Sequence, residues 1–331
     1  MKIRRLLTAG VAAGLLVLTG CSSSSSSNPS ADSSTTGGSD TGSSSSGFRI
    51  DVITHGAPGD SFWDVVKAGA VQAGKDEGLD LHYQSDPDVG KQATLIDNAV
   101  AAGTDGLVVS MANPDGLKKS IQAAVSAGVP VVTINSGIDQ WKQYGAITHV
   151  GQSETLAGQA AGQKLTDDGL KNVLCVIQEA GNVGLEQRCA GAKSKFSGTL
   201  TNLQVDNTDL AGSESTIESK LQADPTIDGI LTLGGDMSGQ AVKAVAATGA
   251  NVTVGTFDVN ADVVQNVIDG KIQFAIDQQP YAQGYLGVTA VYLKNLDGLD
   301  IGGGQPVYTG PAFITKDNAT SVLKFAQQGT R

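Results

Sequence analysis

The sequence predicts an α/β protein of two lobes, each built around a doubly wound parallel sheet. The main observation is a repeated unit over residues 105–135 and residues 228–258. In each unit Asp-Gly leads into a short apolar strand, a helical segment follows, and a second strand ends on Asn or Asp. Strands that alternate with helices favour parallel sheets, and the repeat favours two similar lobes. Because doubly wound sheets bind ligands at the carboxyl ends of their strands, we expect a binding cleft between the lobes.

The amino terminus has the composition of a secretory signal sequence. Three basic residues precede an apolar run over residues 6–18, which is too short to span a bilayer with ordinary flanks. Leu-Thr-Gly then stands directly before Cys21, an arrangement that resembles the lipobox of bacterial lipoproteins. We therefore expect residues 1–20 to be removed and Cys21 to carry lipid. An ordinary signal with an incidental cysteine is the alternative.

The segment after Cys21 should form a flexible tether. Residues 22–47 are almost entirely Ser, Thr, Gly and Asp, with no large apolar side chain, so they cannot bury enough surface to offset the entropy of ordering. A lipidated Cys21 followed by such a tether would hold the remaining domain outside the cytoplasmic membrane. We therefore expect an extracytoplasmic protein whose contact with the membrane is the lipid anchor.

From Phe48 onward, strands and helices alternate along the chain. Trp63, Val66 and Ala70 follow one another at helical spacing, and Pro280 interrupts the chain before a late helix. Before a junction over residues 136–151, the predicted elements are a strand at 50–54, a helix at 62–77, a strand at 79–84, a helix at 91–102 and the first repeated unit. After the junction they are a helix at 153–168, a strand at 172–177, a helix at 186–196, a strand at 202–206, a helix at 213–223, the second repeated unit, a helix at 261–269, a strand at 272–277, a helix at 281–297 and a last strand near 307–314.

Charge and motif content exclude several classes of function. The formal net charge of −11 becomes −14 when the three basic residues of the signal are removed, and so acidic a protein is a poor candidate for nucleic acid or anionic membrane surfaces. Residues 69–76 have most of a phosphate-loop spacing, but Asp76 stands where Ser or Thr should bind magnesium. His55, His82 and His149 lack metal-ligand spacing, and no nucleophile–base pair is recognisable. We therefore expect no enzyme activity, no cofactor and no metal site.

The cysteines fit an oxidising compartment. With Cys21 taken by lipid, Cys175 and Cys189 form an even pair. Cys175 lies in a predicted strand and Cys189 in the first turn of the helix that follows. We expect a disulfide between them that closes a short loop; two separate buried thiols are the alternative.

Polar residues at the predicted strand ends share a chemistry suited to hydroxyl groups. These residues are Asp60, Ser110, Asn135, Ser136, Asp236, Asp258 and Gln278. Carboxylates and amides offer paired acceptors, or a donor beside an acceptor, to adjacent hydroxyls. Arg188 adds a planar fork, and Phe62 and Trp63 add flat apolar faces. A hydroxyl-rich, uncharged ligand is the natural expectation.

Some of these residues have simpler structural interpretations. Asp60 or Ser61 could cap the helix that begins at Phe62, and Asp236 could cap the helix that begins near Met237. Trp63 has the spacing of a core residue, so one of the two aromatics should belong to the core. His55 lies in the first strand-end loop, where it reaches the cleft or is an ordinary surface histidine.

Five segments stand in a characteristic order and at consistent spacing: Asp-Ser-Phe-Trp at 60–63, Gly-Val-Pro-Val at 128–131, Glu-Gln-Arg at 186–188, Thr-Phe-Asp at 256–258 and Ile-Asp-Gln-Gln-Pro at 276–280. Together they resemble the ribose-type sugar-binding proteins of bacterial ABC transporters, which have the type I periplasmic-binding-protein fold. The resemblance covers nearly all of the chain from Phe48. It implies two lobes joined by three crossings near Gly151, Gln279 and Tyr308, which close on ligand by hinge bending. Residues 48–151 with 280–308 would form the first lobe, and residues 152–279 with 309–331 the second.

The resemblance also implies ligand contacts at Asp60, Phe62, Trp63, Ser110, Asn135, Ser136, Arg188, Gly235 or Asp236, Asp258 and Gln278. Two features depart from the family pattern. Asn135-Ser136 stands where aldopentose binders usually carry Asp-Arg, and the loop over residues 55–60 is longer and begins with His. Both departures favour another neutral sugar, or an open-chain polyol, over ribose.

We therefore expect a monomeric solute-binding lipoprotein of a carbohydrate ABC importer. It would bind a neutral monosaccharide or polyol between its lobes and deliver it to the permease subunits. Three alternatives stay open: a binding protein for a furanosyl signal or nucleoside, a ligand-sensing module for a membrane receptor, and an extracytoplasmic hydrolase.

Overall fold

A computed structural model describes residues 47–331, which form two six-stranded sheets covered by helices. The predicted signal, Cys21 and most of the tether lie outside the described residues. The first sheet contains β1 (Arg49–Thr54), β2 (Asp80–Ser85), β3 (Gly106–Ser110), β4 (Val131–Ile134), β5 (Thr148–Gly151) and β11 (Val307–Tyr308). The second contains β6 (Asn172–Ile177), β7 (Thr199–Gln204), β8 (Gly229–Thr232), β9 (Thr253–Phe257), β10 (Phe274–Asp277) and β12 (Ala312–Ile314).

The two sheets have corresponding strand orders. The first runs β11-β5-β4-β3-β1-β2 and the second β12-β10-β9-β8-β6-β7. All pairs are parallel except β10 with β12. The chain passes between the sheets after β5, after β10 and after β11. The predicted fold class, two doubly wound parallel-sheet lobes, is confirmed.

Helices cover both sheets. Those associated with the first are α1 (Ser61–Asp76), α2 (Val89–Ala101), α3 (Pro114–Ser126), α4 (Trp141–Tyr144) and α10 (Pro280–Asp297). Those associated with the second are α5 (Glu154–Asp167), α6 (Val183–Lys195), α7 (Leu210–Ala223), α8 (Gly235–Thr248), α9 (Ala261–Ile268) and α11 (Ala319–Gln327). None of the described helices is long and apolar enough to cross a membrane.

The strands are apolar on both faces because helices pack on each side of the sheet. Every residue of β3 and β4 is buried, and the same is true of β8 and β10. Residues on opposite faces of β3 belong to different core clusters: Val108 packs with Ile50 and Val132, and Val109 with Ile96 and Leu117. These cores hold the carboxyl ends of the strands in fixed positions.

Close helix packing depends on glycines that leave no room for a side chain. A Cβ on Gly69 of α1 would lie 2.0 Å from the carbonyl oxygen of Tyr281 in α10. In the second lobe, a Cβ on Gly158 of α5 would lie 2.3 Å from the carbonyl oxygen of Arg188 in α6. The contact between α5 and α6 therefore sets the position of Arg188.

Several sequence predictions of element position differ from the structure. The junction over residues 136–151 contains β5, whose Thr-His-Val-Gly sequence lacks an apolar pattern. The strand expected at 202–206 is β7 at Thr199–Gln204, a polar edge strand with a weak pattern. The last strand is two short strands, β11 and β12, in different sheets. Helix α6 begins at Val183 after the cap Asn182, so Cys189 lies a turn further along the helix than predicted.

Candidate functional site

A cavity of about 330 Å³ lies between the carboxyl ends of the two sheets. It is lined by ten of the eleven residues that the sequence analysis proposed for ligand binding, namely His55, Asp60, Phe62, Trp63, Asn135, Ser136, Arg188, Asp236, Asp258 and Gln278. Gly235, which the family resemblance offered as an alternative to Asp236, also lines it. The eleventh, Ser110, is fully buried behind His55. Residues that lie far apart in the sequence therefore converge on one cavity.

Ser110 orients His55. The Ser110 hydroxyl oxygen accepts the backbone N–H of His55 at 3.0 Å and lies 2.7 Å from the ring Nδ1. Which of the two atoms donates depends on the tautomer of the ring, whose Nε2 lies 3.8 Å from Glu179 Oε2. Burial lowers the pKa of His55, although Glu179 partly offsets it, so the ring is neutral at physiological pH. His55 thus brings a neutral imidazole to the cavity, in a position set by Ser110.

Arg188 is held in place by Glu154. The Nε and Nη2 groups of Arg188 donate to the two carboxylate oxygens of Glu154 at 2.6 and 3.0 Å, and Nη1 donates to the carbonyl oxygen of Leu233 at 2.9 Å. Burial opposes the charge of Arg188, but Glu154 and Asp258 outweigh it and raise the pKa of the guanidinium. This bidentate pair fixes the plane of the guanidinium in the cavity wall.

Asp258 and Asn135 occupy equivalent positions in the two lobes. Each follows the end of a strand in the left-handed region, with φ of 66° and 62°, and each backbone N–H donates to a neighbouring strand. Asn and Asp tolerate this conformation better than most residues. The amide of Gln278 links them, since it donates to Asp258 Oδ1 at 2.6 Å and accepts from Asn135 Nδ2 at 3.2 Å. The repeat seen in the sequence therefore places matching polar groups on both sides of the cavity.

Two carboxyl groups of the cavity have strongly raised pKa values. Burial raises the pKa of Asp60 to about 7, with help from Glu179 and Asp236. Burial also raises the pKa of Asp258 to about 7, although Arg188 at 3.8 Å acts in the opposite direction. The hydroxyl groups of a neutral ligand could replace the water that these carboxylates have lost.

The interpretation of Asp60 as a helix cap is correct, but that of Asp236 is wrong. Asp60 Oδ1 accepts the backbone N–H of Phe62 at 3.0 Å and caps α1, while Asp60 also lines the cavity. Helix α8 begins earlier than expected, with Gly234 as its N-cap, so Asp236 lies inside the first turn. Its carboxylate instead contacts Ser61 of the first lobe.

The aromatic pair divides as the helical spacing predicted. Trp63 is buried in the core of the first lobe with Val66 and Ala70, while Phe62 is only partly buried. The two rings meet edge to face with centroids 5.0 Å apart, and the ring of His55 lies against Trp63 at 4.6 Å. Phe62 is therefore the more accessible apolar face.

Glu179 and Glu154 belong to the site but were not predicted from the sequence. Glu179 lines the cavity and accepts from Asn182 and Asn207 at 2.7 and 3.1 Å. It follows the end of β6, so the strand-end criterion could have found it. Glu154, the partner of Arg188, carries no comparable signal, since acidic residues are common in the first turn of a helix.

The second lobe contains a disulfide. Cys175 of β6 and Cys189 of α6 are joined, with Cα atoms 5.9 Å apart. The bond ties the helix that carries Arg188 to β6, which lies between β8 and the edge strand β7. Within residues 47–331, no group of three or more His, Cys, Asp or Glu residues could hold a metal ion.

Comparisons with known proteins agree on the fold and the family. A model of the periplasmic binding protein domain family matches residues 50–298. A carbohydrate transporter from Acidothermus cellulolyticus 11B, solved in complex with myo-inositol, is 46% identical, with a TM-score of 0.85 over 86% of this chain and 100% of that chain. The xylose/arabinose-binding protein of Sulfolobus acidocaldarius is 28% identical over 74% of this chain and 66% of its own length. The ribose import binding protein of Bacillus subtilis is 24% identical over 69% of this chain and 76% of its own length.

Proposed function

The chain belongs to the periplasmic binding protein domain family, and we propose that it is the extracytoplasmic solute-binding component of a carbohydrate ABC importer. It binds a neutral monosaccharide or polyol in the cavity between its lobes and delivers the closed, loaded form to the permease. The lobes are residues 48–151 with 280–308 and residues 152–279 with 309–331. They move about the three chain crossings.

The observation that supports this proposal is a cavity whose polar groups come from both lobes. Asn135 and Asp60 face it from the first lobe, and Asp258 and Arg188 from the second. A ligand that bonds to all of them is held best when the cleft is shut, so binding energy is available to drive closure. The cavity volume of about 330 Å³ is at the small end of the range for ligand pockets, which suits one sugar ring.

Within that class we propose a cyclic polyol as the preferred ligand. The relative that is 46% identical was solved with myo-inositol. Carboxylate oxygens of Asp60 and Asp258 can accept from ring hydroxyls, and the N–H groups of Arg188 can donate to them. The C–H face of a six-membered ring can lie on Phe62. Aldopentoses are the second choice, because relatives named for xylose, arabinose and ribose are 28% and 24% identical to this chain.

A ligand panel tests the proposal. The domain from Phe48 onward would be titrated with myo-inositol, D-arabinose, D-xylose, D-ribose and D-allose, with the melting temperature and the heat of binding as readouts. A ligand at a hundredfold its dissociation constant stabilises the folded form by about 2.7 kcal/mol, which raises the melting temperature by about 5 °C or more. The absence of a shift and of binding heat with every compound would refute the carbohydrate assignment.

The anchor is a separate part of the proposal. We propose that residues 1–20 are cleaved and that lipid on Cys21 holds the protein on the outer side of the cytoplasmic membrane, with residues 22–47 as the tether. In cells, Cys21→Ser should move the protein from the membrane fraction to the soluble fraction. Retention of this variant in the membrane fraction would contradict the anchor without affecting the binding proposal.

A further inference from the structure

Asp236 contacts the opposite lobe at the first turn of helix α1. The backbone N–H of Ser61, the first residue of α1, donates to Asp236 Oδ2 at 3.2 Å. The Ser61 hydroxyl donates to Asp236 Oδ1 at 2.7 Å. Ser61 and Asp236 are 175 positions apart in the chain and belong to different lobes.

The Asp236 carboxylate is occupied by donors of the protein itself. Asn260 Nδ2 donates to Asp236 Oδ1 at 3.3 Å and lies 3.4 Å from the Ser61 hydroxyl oxygen. Asn260 is fixed in turn, because its Oδ1 accepts the backbone N–H of Val263 and caps α9. Both carboxylate oxygens of Asp236 therefore have hydrogen-bond donors before any ligand arrives.

The first backbone N–H groups of a helix have no partner inside the helix. In α1, the N–H of Phe62 is satisfied by Asp60 of the same lobe, whereas the N–H of Ser61 is satisfied by Asp236 of the other lobe. The carboxylate also lies in the first turn of α8, so the positive ends of two helix dipoles act on one negative charge. These interactions between α1 and Asp236 exist only while the lobes are together.

From this geometry we propose that Asp236 is a latch that caps helix α1 of the opposite lobe and stabilises the closed cleft, with no direct bond to the ligand. The proposal reassigns a residue that the strand-end pattern had placed among the ligand contacts. It rests on the binding between the lobes proposed above, because closure strengthens binding only if the ligand is held by both lobes. Every ligand that closes the cleft gains the same contribution from this latch.

A double-mutant cycle distinguishes a latch from a ligand contact. The variants are Asp236→Ala, Ser61→Ala and the double variant. Asp262→Ala is the control, because it removes an exposed carboxylate from the first turn of the neighbouring helix α9. Affinities would be measured by calorimetry with myo-inositol and D-arabinose. We expect Asp236→Ala to weaken both probes by the same factor, about fivefold from the usual cost of losing a helix cap. Ser61→Ala should cost less with either probe, since it removes the hydroxyl bond to Oδ1 but keeps the backbone N–H bond to Oδ2. The double variant should lose less than the product of the two single losses, and the control should match the unmodified protein.

Two results would overturn the latch. One is a loss for Asp236→Ala that differs strongly between the two probes, since a ligand contact depends on which hydroxyls are present. The other is a double variant whose affinity falls by the full product of the two single-variant factors, which would mean that Ser61 and Asp236 act independently. If only one of the two probes binds the unmodified protein, the double-mutant cycle of Ser61 and Asp236 is measured with that probe, and its result tests the latch.

If neither probe binds the unmodified protein, the proposed function is what fails, and the latch is then tested without ligand. Fluorophores placed on the two lobes report their separation. A wider separation in Asp236→Ala than in the unmodified protein supports the latch, and an unchanged separation overturns it.

Discussion

The ion pair between Glu154 and Arg188 allows a sharp test of how the site is held together. Both side chains are buried, and the Glu154 carboxylate accepts two charge-assisted hydrogen bonds from Arg188. In Glu154→Gln one oxygen becomes an NH₂ group, which cannot accept from a guanidinium, and the compensating charge is lost. Breaking a buried pair on one side costs about 3 kcal/mol or more.

For a domain of this size that loss should lower the melting temperature by about 6 to 12 °C. Scanning calorimetry of the ligand-free protein measures it, and calorimetric titration should show weaker ligand binding because the guanidinium plane is no longer fixed. Glu186→Gln is the matched control, since Glu186 is exposed in the first turn of α6. It should change stability by less than about 0.5 kcal/mol. If Glu154→Gln has the same melting temperature and the same ligand affinity as Glu186→Gln, Glu154 does not position Arg188.

Two further predictions concern pH and packing. Ligand hydroxyls donate to ionised carboxylates, and the pKa values of Asp60 and Asp258 are both raised to about 7. Affinity should therefore fall by about tenfold for each such carboxylate between about pH 8 and pH 6. As the pH falls from about 8 to about 6, the melting temperature of the ligand-free protein should rise. The reason is that Asp60 and Asp258 take up protons in the folded state over this interval, whereas the same carboxyl groups stay ionised in the unfolded chain. Movement of both quantities in the same direction would contradict these pKa values. Gly69→Ala should cost about 1 to 3 kcal/mol in a denaturant titration, because its Cβ would meet backbone at 2.0 Å. Gly239→Ala in α8, where nothing lies within 4 Å, should be neutral or stabilising by up to about 1 kcal/mol, and equal effects of the two substitutions would refute the packing explanation.

The strand-end residues were predictable because their signal is local. An apolar run that stops at a polar residue marks a strand end, and parallel construction brings such ends to one edge of a sheet. Asp258 and Asn135 were found in this way, and Glu179 follows the same rule after β6. The strand β5 could not be read from its sequence, because Thr148 and His149 are buried polar residues, with Thr133 hydrogen-bonded to His149 at 2.9 Å.

Partners of the site residues could not be predicted, because they are set by packing between distant elements. Glu154 reaches Arg188 because glycines such as Gly158 let α5 approach α6 closely. Ser110 was expected to touch ligand, yet its hydroxyl is used to orient His55. In both cases the residue type was recognisable, but the contact depends on a neighbour that the local sequence does not specify.

The amino-acid sequence by itself determined the architecture and the polar character of the cleft. Helical and strand periodicity, turn residues and the repeated unit are properties of short segments, so they can be read without coordinates. Only the tertiary structure decided which polar groups point into the cavity and which serve the protein itself. Asp236 illustrates the physical reason: its hydrogen bonds to Ser61 join residues 175 positions apart and form only where the two lobes meet.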